Sequence, residues 1–396
     1  MLSLRNSEGQ IMERRKILII GMFDSIHLAR WLSQFENEKI DFTLFPSKKF
    51  KYVNYDLLKL ISSKKAATYK FAKPYFVFKY IGFLDYLFNV ALKKIGLNLK
   101  LISLKNVMLK NTFIYTHAIE LQGAAYLYDL LPKDIQDRSL LILTNYGSDT
   151  QYFQNIPDHQ VKIKSVFSKA DFYSAECQRD YESALKLGFK GKFLPCIPNA
   201  GGFKNEIFEL NLVPSTERNL IMAKCYGGTF GLGALIIDAL ERFLRNNPDV
   251  KIIMHSVTDD LLDKSKNLQA TFPNQVVIYT VRDKIPRNEI IDHLSKSRIY
   301  LGASKSDGIS TSFLEALCLG AYPIQTDTSC ANEWIELGFF GSIIRPDTSE
   351  IFTAINVNYF NKELENKRIQ NLESAKRYLS YDLIQSQAIK FYETSK

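Results

Sequence analysis

The chain has 396 residues, of which 46% are apolar and 23% charged, and a formal net charge of +9. This composition is typical of a soluble globular protein, and the length predicts two domains rather than one core. Its five cysteines are odd in number and include no C-x-x-C pair, which argues against a disulfide framework or a zinc site and favours a reducing cytoplasm. Residues 1–15 lack the apolar core of a signal peptide and are expected to form a disordered tail. The longest apolar stretch, residues 75–92, is interrupted by Lys79 and Asp85, so we expect no transmembrane helix.

The first part of the chain alternates strand and helix patterns. KILIIGMF, from Lys16, is a buried-strand pattern ending at Gly21, an amphipathic helix follows in DSIHLARWLSQF, and residues 39–45 form the next strand. This βαβ unit implies a parallel sheet, to which strands at residues 112–116 and 170–175 and a strand and loop at residues 139–149 are expected to belong. We therefore assign residues 16–200 to an N-terminal Rossmann-like domain.

The positive charge belongs to one segment inside that domain. Residues 48–110 contain fourteen lysines and two acids, a local balance of +12, which leaves the remainder of the chain at −3. Aromatic residues are interleaved with the lysines, and the segment, counted as an insertion over residues 46–110, is expected to be mostly helical. This combination suits an anionic membrane surface, at roughly 1 kcal/mol per cation. A solvated basic face over core aromatics is the alternative, and no RRM, KH or helix-turn-helix signature supports nucleic acid.

A second α/β series follows a linker rich in proline and glycine. Strands are expected at residues 219–224, 250–257, 275–281, 298–303 and 321–325, and the glycine-rich turn CYGGTFGLG follows the first of them. We predict an α/β fold in which a second Rossmann-like domain, at residues 201–375, faces the first across a cleft. A C-terminal helix at residues 376–396 is expected to pack back on the N-terminal domain.

Two carboxylates frame a polar loop and the start of a helix in the second domain. Asp307 and Glu315 are separated by seven residues, and the backbone amides and hydroxyls between them, at Gly308, Ser310, Thr311 and Ser312, suit an anion at a helix N-terminus. Lys224, at the end of the first strand of this domain, adds a cation before the glycine-rich turn.

Each of these residues also has a purely structural interpretation. Ser312 and Glu315 form S-x-x-E, the pattern of a capping box worth about 1 kcal/mol. Asp307 suits an Asx-turn before Gly308, and glycines at a strand-to-helix turn are common for packing reasons. His117 follows an apolar strand, where parallel sheets place ligands, although a lone histidine there is more often structural. No histidine shows metal-ligand spacing with acidic or cysteine partners.

The loop-and-helix stretch resembles the signature of retaining glycosyltransferases of the large family four, which have the GT-B architecture. In that family two glutamates seven residues apart bracket a glycine-containing loop and a helix start. Asp307 and Glu315 fall on those positions, with Asp307 one methylene shorter than the usual glutamate. The stretch GISTSFLEALCLGAYPIQTDTSCANEW is especially similar to bacterial enzymes that build surface polysaccharides.

Weaker parts of the resemblance extend over about residues 16–380. They are Gly21 in the first-strand loop, His117 after the third strand-like pattern, GSD at residues 147–149, NAG at residues 199–201, and Lys224 as the first member of a basic pair whose second position is not clearly filled. The resemblance implies catalytic roles for His117 and Asp307, with Asp307 on the donor sugar. It also implies that Glu315 holds the nucleotide ribose, that Lys224 and the amides from Gly308 to Ser312 hold the diphosphate, and that Gly21 lies on the donor side. His27 and Asp149 are assigned to the acceptor side.

The implied activity is metal-independent transfer of a sugar, with retention, from a nucleotide-diphosphate donor to a lipid-linked or polysaccharide hydroxyl. No cofactor is expected, because the nucleotide-sugar is a substrate, and neither metal nor nucleic acid is an expected partner. The implied location is the cytoplasm, peripheral at the inner face of the cell membrane. Two alternatives remain: a nucleotide-sugar epimerase of the same architecture, and a catalytically idle member that binds membranes or partners through the basic segment.

Overall fold

The structure is a computed structural model that describes residues 14–72 and 98–394. The chain divides into two compact units: the first contains Met1–Ala175, Tyr181–Gly201 and Gln385–Lys396, and the second contains Glu176–Asp180 and Gly202–Ile384. Most of the predicted disordered tail and residues 73–97 of the predicted insertion lie outside the described residues.

The first unit is built on a parallel sheet of seven strands in the order β3-β2-β1-β4-β5-β6-β7. The strands are β1 (Arg15–Gly21), β2 (Ile40–Pro46), β3 (Thr68–Phe71), β4 (Tyr115–Ile119), β5 (Leu140–Thr144), β6 (Phe172–Ser174) and β7 (Lys192–Phe193). The continuous apolar run of β1 is buried on both faces, as expected for a central parallel strand. Because β1 pairs with β2 on one side and β4 on the other, the strand order reverses there, which is where such sheets bind ligands.

Helices cover this sheet, and residues late in the chain complete its core. The helices are Ile26–Ser33, Tyr55–Ser62, Leu99–Lys110, the π-helical turn Leu121–Ala125, Tyr126–Asp129, Lys133–Gln136, Ser148–Gln151 and Pro157–Lys169, and Gln178–Lys186 is divided between the units. Phe391 and Tyr392 are buried in the first unit, and the Tyr392 ring lies 5.0 Å from that of Phe35. Within the insertion, β3 is a strand that the sequence pattern did not predict.

The second unit repeats the architecture with six parallel strands in the order β10-β9-β8-β11-β12-β13. The strands are β8 (Leu220–Lys224), β9 (Lys251–Val257), β10 (Val276–Thr280), β11 (Ser297–Gly302), β12 (Tyr322–Thr326) and β13 (Ser342–Ile344). The strands expected from residue 219 onward are therefore present to within two residues at each end. The switch in strand order lies between β8 and β11.

Nine helices of the described chain accompany these strands. They are Asn205–Phe208, Gly233–Leu244, Leu262–Thr271, Arg287–Lys296, Thr311–Leu319, Ala331–Glu336, Thr348–Tyr359, Leu364–Leu379 and Tyr381–Ile389, the last divided between the units. Gly320 ends the helix Thr311–Leu319 with a left-handed φ of 71°, as was predicted from a glycine at this position. Within the described residues, none of the helices has both the length and the hydropathy needed to cross a membrane.

The cysteines depart from the sequence-based expectation. Cys177 and Cys330, 153 residues apart, form a disulfide within the second unit, whereas no disulfide was predicted. Their sulfurs and the Glu333 carboxylate lie within 4.8 Å of one another, but both oxygens of Glu333 accept backbone amides, from Gln178 at 2.7 Å and Arg179 at 2.9 Å. This group therefore fastens the start of the helix Gln178–Lys186 to the start of Ala331–Glu336.

Candidate functional site

Three strands of the second unit end together beside the switch point. Lys224, the last residue of β8, is in register with Gly302 of β11 on one side and with His255 of β9 on the other. The loops that follow β8 and β11 leave the sheet at this same carboxyl edge. The edge therefore brings together Lys224, the glycine-rich turn and the loop that carries Asp307.

The glycine-rich turn after β8 is held by its own amides. Gly231 donates to the Gly227 carbonyl at 3.1 Å, while Gly227 and Gly228 donate to Thr258 Oγ1 at 2.9 Å and Asp260 Oδ2 at 3.0 Å. A Cβ on Gly231 would lie only 2.1 Å from the Tyr226 carbonyl oxygen. Close backbone packing therefore explains Gly231, as in the structural alternative to an anion nest, whereas Gly228 has a left-handed φ of 69°.

Direct hydrogen bonds join that turn to the Asp307 loop. The amide of Lys305 donates to the Phe230 carbonyl at 2.7 Å, and the amide of Leu232 donates to the Ala303 carbonyl at 3.3 Å. Gly231 and Ser304 form an isolated antiparallel bridge between the two segments. These bonds fasten the two loops to each other at the strand ends, and we refer to this pair of loops as the rim.

Asp307 lies half-buried among cations on this rim. Burial raises the pKa of its carboxyl, and the charge of Lys224 opposes that increase. The Gly308 amide donates to the same carboxylate, which agrees with the local turn interpretation, and Arg179 Nη2 donates to the Asp307 carbonyl at 2.8 Å. The Lys224 ammonium also lies 5.0 Å from the ring centre of Tyr226. A cation, a carboxylate and a phenol therefore converge at the end of β8.

Glu315 lies in the same loop-and-helix stretch but does not cap its helix. The N-cap of Thr311–Leu319 is Ser310, so Glu315 is not at the position of a capping-box glutamate, and that alternative is wrong. The Glu315 side chain is 6% exposed and its Oε1 pairs with Arg287 Nη2 at 3.2 Å. Arg287, the first residue of the helix Arg287–Lys296, thus compensates a buried carboxylate at this edge.

His255 belongs to the same edge and was not predicted as a site residue. It is buried, its Nδ1 lies 3.0 Å from Ser256 Oγ, and its Nε2 has no hydrogen-bond partner among the described residues. Burial, with smaller contributions from the charges of Lys224 and His293, lowers the pKa of His255 to about 3. Ser256 has a positive φ of 58°, so the backbone turns sharply immediately after the histidine. The available signal was a histidine that directly follows the apolar residues 252–254 within β9.

His117 occupies a different position from the one predicted. It is the third residue of β4 rather than the residue after it, and it is fully buried. Its Nδ1 lies 2.8 Å from the Tyr392 hydroxyl and its Nε2 lies 3.2 Å from Thr144 Oγ1. Burial lowers the pKa of His117 to about 3. The prediction that His117 directly follows its strand is therefore wrong, because β4 continues through Ile119.

Gly21, His27 and Asp149 lie near the carboxyl edge of the first sheet. Gly21 ends β1 and would bring a Cβ to 3.2 Å from Leu28 Cδ1. His27 is half-buried, with its ring centre 5.6 Å from that of Tyr146. Asp149 is buried and accepts the Tyr146 amide at 2.9 Å, so Tyr146 lies between the two predicted acceptor-side residues. Gly21 belongs to the first unit and therefore not to the rim that carries Asp307 and Glu315.

Glu120 is the residue of this edge that sequence reasoning missed. It follows β4 directly, is 3% exposed and has a φ of 86° with a ψ of 152°. A non-glycine residue in that region carries strain of about 1–3 kcal/mol and persists only where its surroundings fix it. The amide of Glu120 donates to the Thr144 carbonyl at 3.0 Å, and its carbonyl accepts from Ala125 at 3.2 Å. The signal in the sequence was an acidic residue directly after an apolar strand, which indicates a candidate site residue.

Comparison with known proteins rests on structure. No protein-family model matches the chain, and no curated protein is significantly similar to it. Anabaena HepE in complex with UDP and glucose superposes with a TM-score of 0.65 and 14% identity, covering 96% of this chain and all of HepE (100%). An α,α-trehalose-phosphate synthase (UDP-forming) from Burkholderia vietnamiensis has a TM-score of 0.66 and 10% identity, covering 97% of this chain and 100% of the synthase. The sucrose-phosphate synthase of Thermosynechococcus elongatus has a TM-score of 0.65 and 12% identity, covering 96% of this chain and 98% of that synthase. These likenesses, with the two parallel sheets, confirm the predicted α/β fold with two Rossmann-like units: the chain has the GT-B fold.

Proposed function

We propose that the chain is a retaining glycosyltransferase that moves a sugar from a nucleotide-diphosphate donor to a lipid-linked or polysaccharide hydroxyl without a metal ion. The observation that carries the proposal is the pairing of Lys224 with Asp307 at the carboxyl edge of the second sheet, with the buried Glu315 in the helix that follows the Asp307 loop. The fold supports it as well, because the matched HepE structures are complexes with UDP, with UDP and glucose, and with UDP-glucose.

Each side chain has a role that its surroundings favour. Glu315, oriented by Arg287, accepts hydrogen bonds from the nucleotide ribose. Asp307 meets hydroxyls of the donor sugar, and the Lys224 ammonium pairs with the diphosphate, since charge-assisted hydrogen bonds to phosphate are strong. The N-terminus of the helix Thr311–Leu319 adds its backbone amides and its dipole to that anion.

The chemical step then depends on the leaving diphosphate. The bond from the anomeric carbon to the diphosphate oxygen breaks, the acceptor oxygen forms the new bond on the same face, and the acceptor proton passes to the departing diphosphate. Lys224 stabilises the negative charge that develops on that leaving group. Electrostatic stabilisation of this kind commonly provides the largest part of a rate enhancement.

A membrane-proximal acceptor fits the described part of the basic segment. Tyr52 is 61% exposed and Tyr55 is 77% exposed, close in sequence to Lys51 and Lys59. Exposed aromatics beside lysines suit the headgroup region of an anionic membrane. We expect flotation with phosphatidylglycerol vesicles at low salt, and equal behaviour with neutral vesicles would contradict this part of the proposal.

The donor is tested with a panel of UDP-, GDP- and ADP-sugars. At least one of them should raise the melting temperature and be hydrolysed slowly, and no response to any would refute the proposal. Glu315→Gln should abolish protection with little loss of stability, whereas Glu241→Gln, which removes a surface pair with Arg245, should leave protection unchanged. Analysis of a donor incubated alone separates transfer from epimerisation, because an epimerase converts its donor without an acceptor.

A further inference from the structure

A second polar cluster lies at the switch point of the first unit, around Glu120. Lys48, two residues beyond the end of β2, places its Nζ 2.8 Å from Glu120 Oε2. Lys100, in the helix Leu99–Lys110, donates to the carbonyl of Ser47, the residue before Lys48. The Ser47 amide in turn donates to the Gly21 carbonyl at 2.8 Å, which ties the cluster to the end of β1.

The charges of this cluster do not balance. Burial lowers the pKa of Lys100 to about 8, Glu120 opposes that decrease, and Lys48 and Lys49 reinforce it. Two ammonium groups, those of Lys48 and Lys100, therefore interact with the single carboxylate of Glu120. An anion placed among them would restore the balance and favour the charged form of Lys100.

The carboxylate also has an unused acceptor. Glu120 Oε1 is buried and has no hydrogen-bond partner among the described residues. It lies against the turn Leu121–Ala125 so closely that a Cβ on Gly123 would be 2.1 Å from it. Lys48, whose side chain is 48% exposed, covers the carboxylate, so a ligand reaches both by displacing one flexible side chain. A buried acceptor without a donor costs free energy that a ligand hydroxyl recovers.

We propose that Glu120, Lys48 and Lys100 bind an acceptor sugar that carries a phosphate: Oε1 of Glu120 accepts a hydrogen bond from a sugar hydroxyl, and the two lysines hold the phosphate. This rests on the proposed function, which it deepens by naming the acceptor class. The phosphate belongs either to a free sugar phosphate or to a lipid-linked sugar diphosphate, since both present a hydroxyl beside an anion.

Saturation-transfer NMR and calorimetric titration of the whole protein test the site. The probes are glucose 6-phosphate, N-acetylglucosamine 1-phosphate, a short-prenyl diphosphate N-acetylglucosamine, the two parent sugars and inorganic phosphate. At least one phosphorylated sugar should bind at least tenfold more tightly than its parent sugar and inorganic phosphate. Stronger binding of the prenyl compound identifies a lipid-linked acceptor, and stronger binding of the soluble compounds identifies a free one. No binding of any phosphorylated probe overturns the inference.

Three variants test whether the phosphorylated sugar binds at the Glu120 cluster. Glu120→Gly removes the carboxylate and suits a φ of 86°, so it should fold with unchanged or higher stability and bind the preferred probe at least tenfold more weakly. Lys100→Met should weaken binding similarly, whereas Lys110→Met, at the exposed end of the same helix, should not. Equal binding by all three variants overturns the site. The nucleotide-sugar panel on the same wild-type protein separates the outcomes: donor protection without probe binding refutes only this inference, and probe binding without donor protection refutes the transferase, and with it the acceptor role, but keeps the sugar-phosphate site at Glu120.

Discussion

His117→Phe is expected to remove a pH dependence from the stability of the first unit. The pKa of His117 is lowered to about 3 in the folded protein, from an ordinary value of about 6.5. Between these values the unfolded chain binds a proton that the folded chain excludes. The stabilisation is therefore fully present above pH 6.5 and is lost as the pH falls towards 3.

The size of this loss of stability follows from how far the pH lies below the pKa of the unfolded histidine. At pH 5.0, 1.5 units below the unfolded pKa, this linkage costs about 2 kcal/mol, since each unit corresponds to roughly 1.4 kcal/mol. Phenylalanine keeps the ring volume but loses the contacts with the Tyr392 and Thr144 hydroxyls, so His117→Phe should lower stability at pH 7.5 by about 1–3 kcal/mol. The loss between pH 7.5 and 5.0 should then be about 2 kcal/mol smaller in the variant. His255 is present in both proteins, so its contribution cancels.

The assay is urea unfolding followed by tryptophan emission. The chain has two tryptophans, one in each unit, so a Trp334→Phe background leaves Trp31 to report on the first unit. The Trp31 ring centre lies 5.6 Å from that of His117, which places the reporter at the perturbed site. Tyr392→Phe is the control: it removes the hydroxyl that bonds His117 and Trp31 but leaves the histidine buried, so it should keep the pH dependence. An identical pH dependence with and without His117 would refute its assignment as a buried neutral residue.

Three further outcomes are expected. Arg287→Ala should weaken nucleotide binding about tenfold, and unchanged binding would count against the ribose role of Glu315. The variant should also lower the free energy of unfolding in urea by about 1–2 kcal/mol, because Glu315 stays buried without its cation. This value is discounted for solvent screening, since the Arg287 side chain is 46% exposed. Gly231→Ala should shift the glycine-rich turn and reduce donor protection, and a variant with wild-type protection would show that the turn tolerates displacement. Cys177→Ser, or dithiothreitol, should lower the stability of the second unit by up to about 5 kcal/mol through the 153-residue cross-link, whereas Cys196→Ser should leave the melting temperature unchanged.

The sheet architecture was predictable because its signals are local. Apolar runs such as KILIIG in β1 appear as strands wherever both faces are buried, and glycine at position 320 ended its helix through a left-handed φ. The neighbourhood of Lys224 and Asp307 followed from the same logic, since carboxyl ends of adjacent parallel strands share an edge. Periodicity and turn chemistry are thus sufficient to identify the edge that carries the proposed donor site.

The features that sequence reasoning missed depend on contacts between distant residues. The position of His117 was misjudged because β4 continues two residues beyond it, and its partner Tyr392 lies 275 residues away. The Cys177–Cys330 disulfide spans 153 residues and has no local motif. The capping-box interpretation of Glu315 failed because the helix begins two residues earlier than assumed, with Ser310 as its N-cap, and the partner of Glu315 is Arg287 from another helix. No window of sequence contains such pairs.

The closing of the first core by Phe391 and Tyr392 has a consequence for folding during synthesis. Tyr392 is buried against Trp31 and His117, yet it is translated after every residue of the second unit. The strands of the first sheet therefore leave the ribosome long before their last core residues arrive, and they must hold an open apolar face while the second unit folds. We expect that truncation after Ile389 leaves this face exposed and makes the nascent chain dependent on chaperones.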